Sequence, residues 1–165
     1  MGVVLKRSSI LDRSFFERPA EDVARDLIGC VLVHRLSSGR ILKSVISETE
    51  AYVGEHDLAS HASKGRTPRT NVMYGPAGHA YVYLIYGMYE LFNVVTSVEG
   101  DPQAVLIRAG IPLNALRKDL KGPGKFSLGM AITRAKNSTC LTQKSFHFER
   151  YRKPARVQKT PRIGV

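Results

Sequence analysis

Residues 80–95 read AYVYLIYGMYELFNVV, two apolar runs on either side of Gly87–Met88. Val, Ile, Tyr and Phe suit a pleated, half-buried surface, and a glycine between two such runs lets the chain reverse. "HAYVYLIYG" and "YELFNVVTSV" are therefore predicted to be paired antiparallel strands. The stretch also holds four of the chain's seven tyrosines, in a sequence without tryptophan. Along a strand, Tyr81, Tyr83 and Ile85 point one way and Val82, Leu84 and Tyr86 the other. Tyr86 comes off that opposite face or off the turn itself, where an aromatic is poorly placed for a core and well placed for a partner. Tyr81 and Tyr89 read as ordinary strand residues.

Outward from this hairpin the pattern stays β-rich. "EGDP" turns the chain into "QAVLIRAGIPL", a further strand. Upstream, "CVLVHRL", the turn "SSGR" and "ILKSVISETEAYV" read as a second hairpin. Before it, "ERPAEDVARDLIGC" has helix punctuation: Pro19 suits the first helical position, Glu21 and Asp22 the positive end of the dipole, and Gly29 the close. Val23, Ala24, Leu27 and Ile28 make its apolar stripe. Between the hairpins, residues 54–78 lose all period, and so long a loop in a compact domain points to function or mobility. Past Leu113 "KGPGKFSLGMAIT" suggests a turn and a short helix, and "ARVQKTPRIGV" one more strand. Consecutive antiparallel strands with few helices predict an α+β fold in one domain, residues 1–165.

Charge divides the chain. Residues 1–60 hold 8 Lys/Arg against 9 Asp/Glu, and residues 61–165 hold 17 against 5. A net charge of +11 gathered in one part points to a polyanion: nucleic acid first, an acidic membrane surface second. No apolar run is long enough to span a bilayer, and the N-terminus is too broken by charge for a secretory signal. Cys30 and Cys140 form no Cys-x-x-Cys pair, which fits a reducing compartment and two buried or idle thiols. His56 and His61, with no cysteine near, do not make a zinc site, and "GPGK" lacks the spacing of a phosphate-binding loop.

In "SVISETEAYV", alternation puts Glu48, Glu50 and Tyr52 on one face, with Ile46 continuing it, and Thr49 and Ala51 on the other. Two same-face carboxylates, about 7 Å apart, have the look of a hydrolase acid/base pair, and a solvated acidic face gives the same pattern. Lys64, Arg66, Arg69, Lys121 and Lys125 either solubilise loops or grip phosphates.

The run from "ISETEAYVGEHDLASHASKGRTPRTNVMYG" through "YLIYGMYELFNVV", followed by "AVLIRAGIPL", "GPGK" and "KTPRIGV", resembles the 3-methyladenine (alkylpurine) DNA glycosylase family from about Arg18 to Val165. The resemblance implies a single domain with a curved, mainly antiparallel sheet, no metal or other cofactor, and excision of damaged purines from double-stranded DNA. An enzyme that works with one wedge and one pocket needs only one copy, so a monomer is expected. Position by position, it implies that Glu50 activates water and that Arg108 helps hold it. Tyr52, His61 and Tyr83 would line the slot for a flipped purine, and Asn93 would sit at its floor, in conflict with the amino group of guanine. Tyr86 would be the wedge entering the duplex, with Met88 beside it, and Arg66, Arg69 and Lys125 would meet phosphates. A water nucleophile implies no strand-nicking lyase activity. The alternative is a non-catalytic binder of damaged DNA. Location follows the DNA: cytoplasmic and nucleoid-associated in a bacterium, nuclear in a eukaryote. Relatives continue past the position of Val165 through a strand with a Glu-Trp pair, so this chain is expected to lack the family's last strand. In them, the main-chain carbonyl matching Val165 also helps to hold the water.

Overall fold

The structure is a computed structural model that describes residues 10–162. In chain order the elements are α1 (Arg13–Phe16), α2 (Ala20–Leu27), β1 (Val31–Arg35), β2 (Ile41–Val53), β3 (Ala80–Ile85), β4 (Tyr89–Thr96), β5 (Gln103–Asn114), α3 (Pro123–Gly129), β6 (Thr142–Gln143) and β7 (Phe146–Glu149). The seven strands form one sheet in the order β3-β4-β5-β2-β1-β7-β6, antiparallel at every pairing. An α+β fold built on an antiparallel sheet is thus what the chain adopts.

Both predicted hairpins form. β3 pairs β4 from Ala80↔Val94 to Ile85↔Tyr89, and the reversal puts Tyr86 and Gly87 at φ of 52° and 65°. The Met88 N–H closes it on the Ile85 carbonyl. Two central residues with positive φ match the right-handed twist of the strands, which glycine accepts freely and tyrosine does not. β1 pairs β2 from Val31↔Val45 to Arg35↔Ile41. The helix before it starts one residue later than expected, with Pro19 as its N-cap, and Gly29 follows the Ile28 cap at φ 88°. A side chain at Gly29 would strike the carbonyl of Arg152, which passes directly over it.

One face of the sheet carries α1, α2 and α3 and a core that includes Phe16, Leu27, Phe92, Val105, Ile107, Phe126 and Phe148. The other face is covered by the 54–78 loop, ordered by two 3₁₀ turns, His61–Lys64 and Asn71–Tyr74. Ala62, Met73 and Tyr74 of that loop pack on Tyr81, Val95 and Ala104 in a smaller cluster.

Strict alternation fails in the middle of β2. Ile46 pairs Gly110 and Glu48 pairs Ala109, leaving Ser47 unpaired, and Thr49 then pairs Ile107, leaving Arg108 unpaired. This double irregularity switches the faces of both strands. Ile46 lies in the helix-side core together with Ala51 and Val53, not on the face of Glu50. Ile46 therefore does not continue the Glu50–Tyr52 face, because an unpaired residue shifts the two-residue period by one. The 155–162 stretch is also corrected: it forms no strand, and residues 163–165 lie outside those described. Pro161 offers no N–H to a ladder, and side chains hold this stretch instead. β6 and β7, by contrast, were not foreseen, because Thr142–Gln143 and Phe146–Glu149 are too short for their period to register.

Candidate active site

Register explains how distant residues meet. Tyr81 pairs Asn93, Asn93 pairs Leu106, and Leu106 pairs Glu50. Cross-strand partners point to the same face, so this row runs over four strands at about 4.8 Å each on the loop-covered side. One step to one side of this row Tyr52 pairs Ala104, and one step to the other side Tyr83 pairs Leu91. Glu50, Tyr52, Tyr83 and Asn93 thereby share the loop-covered face of the sheet.

Glu50 is 7% exposed. One carboxylate oxygen accepts the hydroxyl of Tyr52, and the other accepts Nη1 of Arg108 at 3.0 Å. Arg108 also donates through Nε to Glu48 at 2.9 Å. A buried carboxylate is tolerable only when hydrogen bonds and an opposite charge replace water, and here both are supplied. Burial and the bond to Glu50 push the Tyr52 hydroxyl well above the ordinary phenol range, so it stays protonated and donates. Arg108 was expected to hold a water. In the structure its guanidinium is held by two carboxylates, Glu48 and Glu50, at the residue where β5 pairing is interrupted.

Rings form the adjoining wall. His61 lies 4.4 Å from Tyr83 between centroids, and Tyr81 lies 5.2 Å from Tyr83. Tyr81 Oη sits 3.0 Å from His61 Nδ1, so a residue read as plain strand also orients a site residue. Burial, with Arg69 and Lys64 nearby, keeps the His61 pKa below its usual value and the imidazole neutral at neutral pH. Burial beside Tyr81 raises the Tyr83 hydroxyl to about 12. Asn93 is buried, and its amide nitrogen donates to the Tyr81 carbonyl at 3.2 Å.

The remaining predicted residues lie at the surface. Tyr86 is 85% exposed and Met88 66%, both on the hairpin tip. Arg69 is exposed with its guanidinium 5.3 Å over the Tyr83 ring. Arg66 lies 5.3 Å over Tyr74 and bonds Asn71, and Lys125 pairs with Asp119 at 2.8 Å. That last pair is exposed on both sides, so its net strength is small and a phosphate can compete for the lysine. Sequence reasoning missed Asp57 and Arg162. Arg162 forks onto Asp57 at 2.6 and 2.9 Å and lies 5.3 Å over the Tyr52 ring. The only local signal was an acid shortly after a strand end, and its partner is 105 residues away.

Two cavities flank α2. The larger, 1040 Å³, lies between α1 and the 150–157 stretch and contains none of these residues. The second, 720 Å³, wraps around the edge of β2 and includes Glu50 and Arg108. Among the described residues, no three His, Cys, Asp or Glu side chains cluster in a way that could hold a metal ion, and no helix is long and apolar enough to cross a membrane.

A wall of packed rings near a buried carboxylate, with an exposed ring on the adjoining hairpin tip of a strongly basic chain, suits an enzyme that handles the bases of nucleic acid. Comparison with known proteins narrows that class. The profile of the methylpurine-DNA glycosylase family matches residues 14–165, and the chain belongs to that family, whose members are DNA glycosylases of DNA repair. It is 46% identical to a protein of Methanocella arvoryzae over 94% of this chain and 84% of that one. It is 49% identical to one of Myxococcus xanthus, over 94% and 81%. A Sodalis glossinidius protein is 48% identical over 96% and 91%. All three carry the provisional name 3-methyladenine DNA glycosylase.

Proposed function

We propose that this glycosylase acts as a monomer on duplex DNA and releases alkylated or deaminated purines, of the 3-methyladenine, ethenoadenine and hypoxanthine types. The observation that carries this reading is the buried Glu50 carboxylate, bonded to both Tyr52 and Arg108 on the face that carries the Tyr83–His61 rings, with Tyr86 exposed on the tip of the hairpin that carries Tyr83.

In this reading Tyr86 enters the duplex and offsets part of the few kcal/mol that extruding a base costs. The base stacks against Tyr83, His61 and Tyr52, and Asn93 disfavours guanine. Glu50 accepts a proton as water forms a bond to C1′ of the sugar. The C1′–N bond breaks, its electron pair leaves with the base, and the carboxylate stabilises the oxocarbenium-like sugar. A methylated purine already carries positive charge and leaves neutral, whereas ethenoadenine and hypoxanthine, neutral in the duplex, take up a proton from solvent as the C1′–N bond breaks. Arg108 orients the carboxylate and the water. Because no amine attacks C1′, no imine forms and the strand is not nicked.

The test is incubation of duplexes bearing 3-methyladenine, ethenoadenine or hypoxanthine, followed by alkali. Breaks that need alkali, and that disappear with Glu50→Gln, are the expected result. Breaks without alkali would refute the monofunctional assignment. Tight lesion binding with no breaks, unchanged by Glu50→Gln, would identify a non-catalytic binder.

A further inference from the structure

The outer edge of β2 is closed by an ion pair. β1 stops covering that edge at Ile46, where Gly29 and Cys30 make the last backbone bonds, and among the described residues no strand pairs with it beyond. Unpaired edge groups of a buried strand need partners. The Val53 N–H donates to Asp57 Oδ2 at 3.1 Å, and the Ala51 carbonyl accepts Arg162 Nη1 at 3.2 Å. Asp57 and Arg162 thus present to the strand the acceptor and donor that a neighbouring peptide chain would.

The pair is built to stay. Asp57's side chain is 3% exposed and Arg162's 29%. Burial would raise the Asp57 pKa, but the guanidinium fork and the N–H groups of Val53 and Ala59 hold its carboxyl below the usual range. The same guanidinium lies on one face of the Tyr52 ring, and the Tyr52 hydroxyl donates to Glu50. A continuous line of contacts therefore runs from Asp57 through Arg162 and Tyr52 to Glu50. A tyrosine has only two soft torsions. A cation on its face and an acceptor at its hydroxyl leave neither free.

We propose that Asp57 and Arg162 are positioning residues: their ion pair clamps the 150–162 segment on the β2 edge and aims Tyr52, and through it the Glu50 carboxylate, at the reacting sugar. This rests on the reading of Glu50 as the base. The effect belongs on the chemical step, since neither residue is needed to capture the duplex, and small misalignments of reacting groups are costly. Lysine cannot replace the fork, because an ammonium is a point charge without the planar pair of donors.

The test is a double-mutant cycle under single-turnover conditions on a 3-methyladenine duplex. Arg162→Gln is expected to slow release between about tenfold and a hundredfold with duplex affinity unchanged, and Arg162→Lys to recover little of it. In a Tyr52→Phe background, Arg162→Gln should cost less than about twofold more, since the hydroxyl it aims is gone. Asp57→Asn should follow Arg162→Gln. If it fails to fold, the Arg162 cycle decides alone. Equal losses in both backgrounds, or a loss confined to duplex affinity, would overturn the positioning role while leaving the glycosylase reading intact. A wild-type protein silent on every lesion would remove both.

Discussion

The two faces of the sheet use different rings. All six phenylalanines lie in the helix-side core, and none of the seven tyrosines does. Four tyrosines, Tyr52, Tyr74, Tyr81 and Tyr83, belong to the loop-side face, and Tyr86 stands on the hairpin tip. The distinction is one oxygen atom. A buried hydroxyl must find a partner, so it is a liability where only packing is wanted and useful where a site must be oriented. Tyr52 bonds Glu50, Tyr74 bonds Glu55 and Tyr81 bonds His61, whereas Phe92 and Phe148 stack 6.3 Å apart within the apolar core. The gathering of rings around Gly87–Met88 thus belongs to a face of hydrogen-bonded hydroxyls that lies opposite a plainly apolar one.

The contrast can be broken in several ways. The largest effect should come from Glu50→Gln, lowering the single-turnover release of 3-methyladenine by about 10²- to 10⁴-fold while the urea midpoint barely moves. Phe92→Ala, on the opposite face, should do the reverse. It should cost about 3–5 kcal/mol of stability, read from denaturant unfolding, and leave any folded fraction active. Next comes Tyr86→Asn. Its loss of a stacking ring should weaken lesion-duplex binding by about 1–3 kcal/mol in titrations. The left-handed backbone at φ 52° suits asparagine better than tyrosine, so thermal stability should rise slightly as function falls.

A smaller effect separates the faces by pH. Burial depresses the pKa of His34 on one side, despite its bond to the Met130 carbonyl, and of His61 on the other. The unfolded chain then binds more protons as pH falls through 6.5, so the stability that neutral imidazoles confer is lost below it. Denaturant midpoints at pH 7.5 and 5.5 should show the drop, and His61→Gln should reduce it. The Asp57 pKa is depressed below 3.8, so its contribution is present above that pH and lost only in stronger acid. Smallest of all, Lys125→Ala should leave stability unchanged and lower the slope of log affinity against log salt by about one, if that lysine meets a phosphate.

Both hairpins were legible from short-range pattern: apolar runs, a period of two and turn residues between them. The Glu50–Tyr52 pairing was legible because two residues on one strand face need no tertiary information. Ile46 misled, since nothing in "SVISETEAYV" announces the unpaired Ser47. Asp57 and Arg162 could not be matched at all.

What the chain determines by itself is local: which segments extend, where they reverse, and which rings alternate with aliphatics, because steric and hydrophobic preferences act between near neighbours. Only the assembled sheet decided that Tyr81, Asn93, Leu106 and Glu50 form one row, that β2 and β5 exchange faces at Arg108, and that an arginine near the end meets an aspartate 105 residues before it. Those relations depend on register and strand order, which balance contributions from the whole molecule and leave no periodic trace in any single segment.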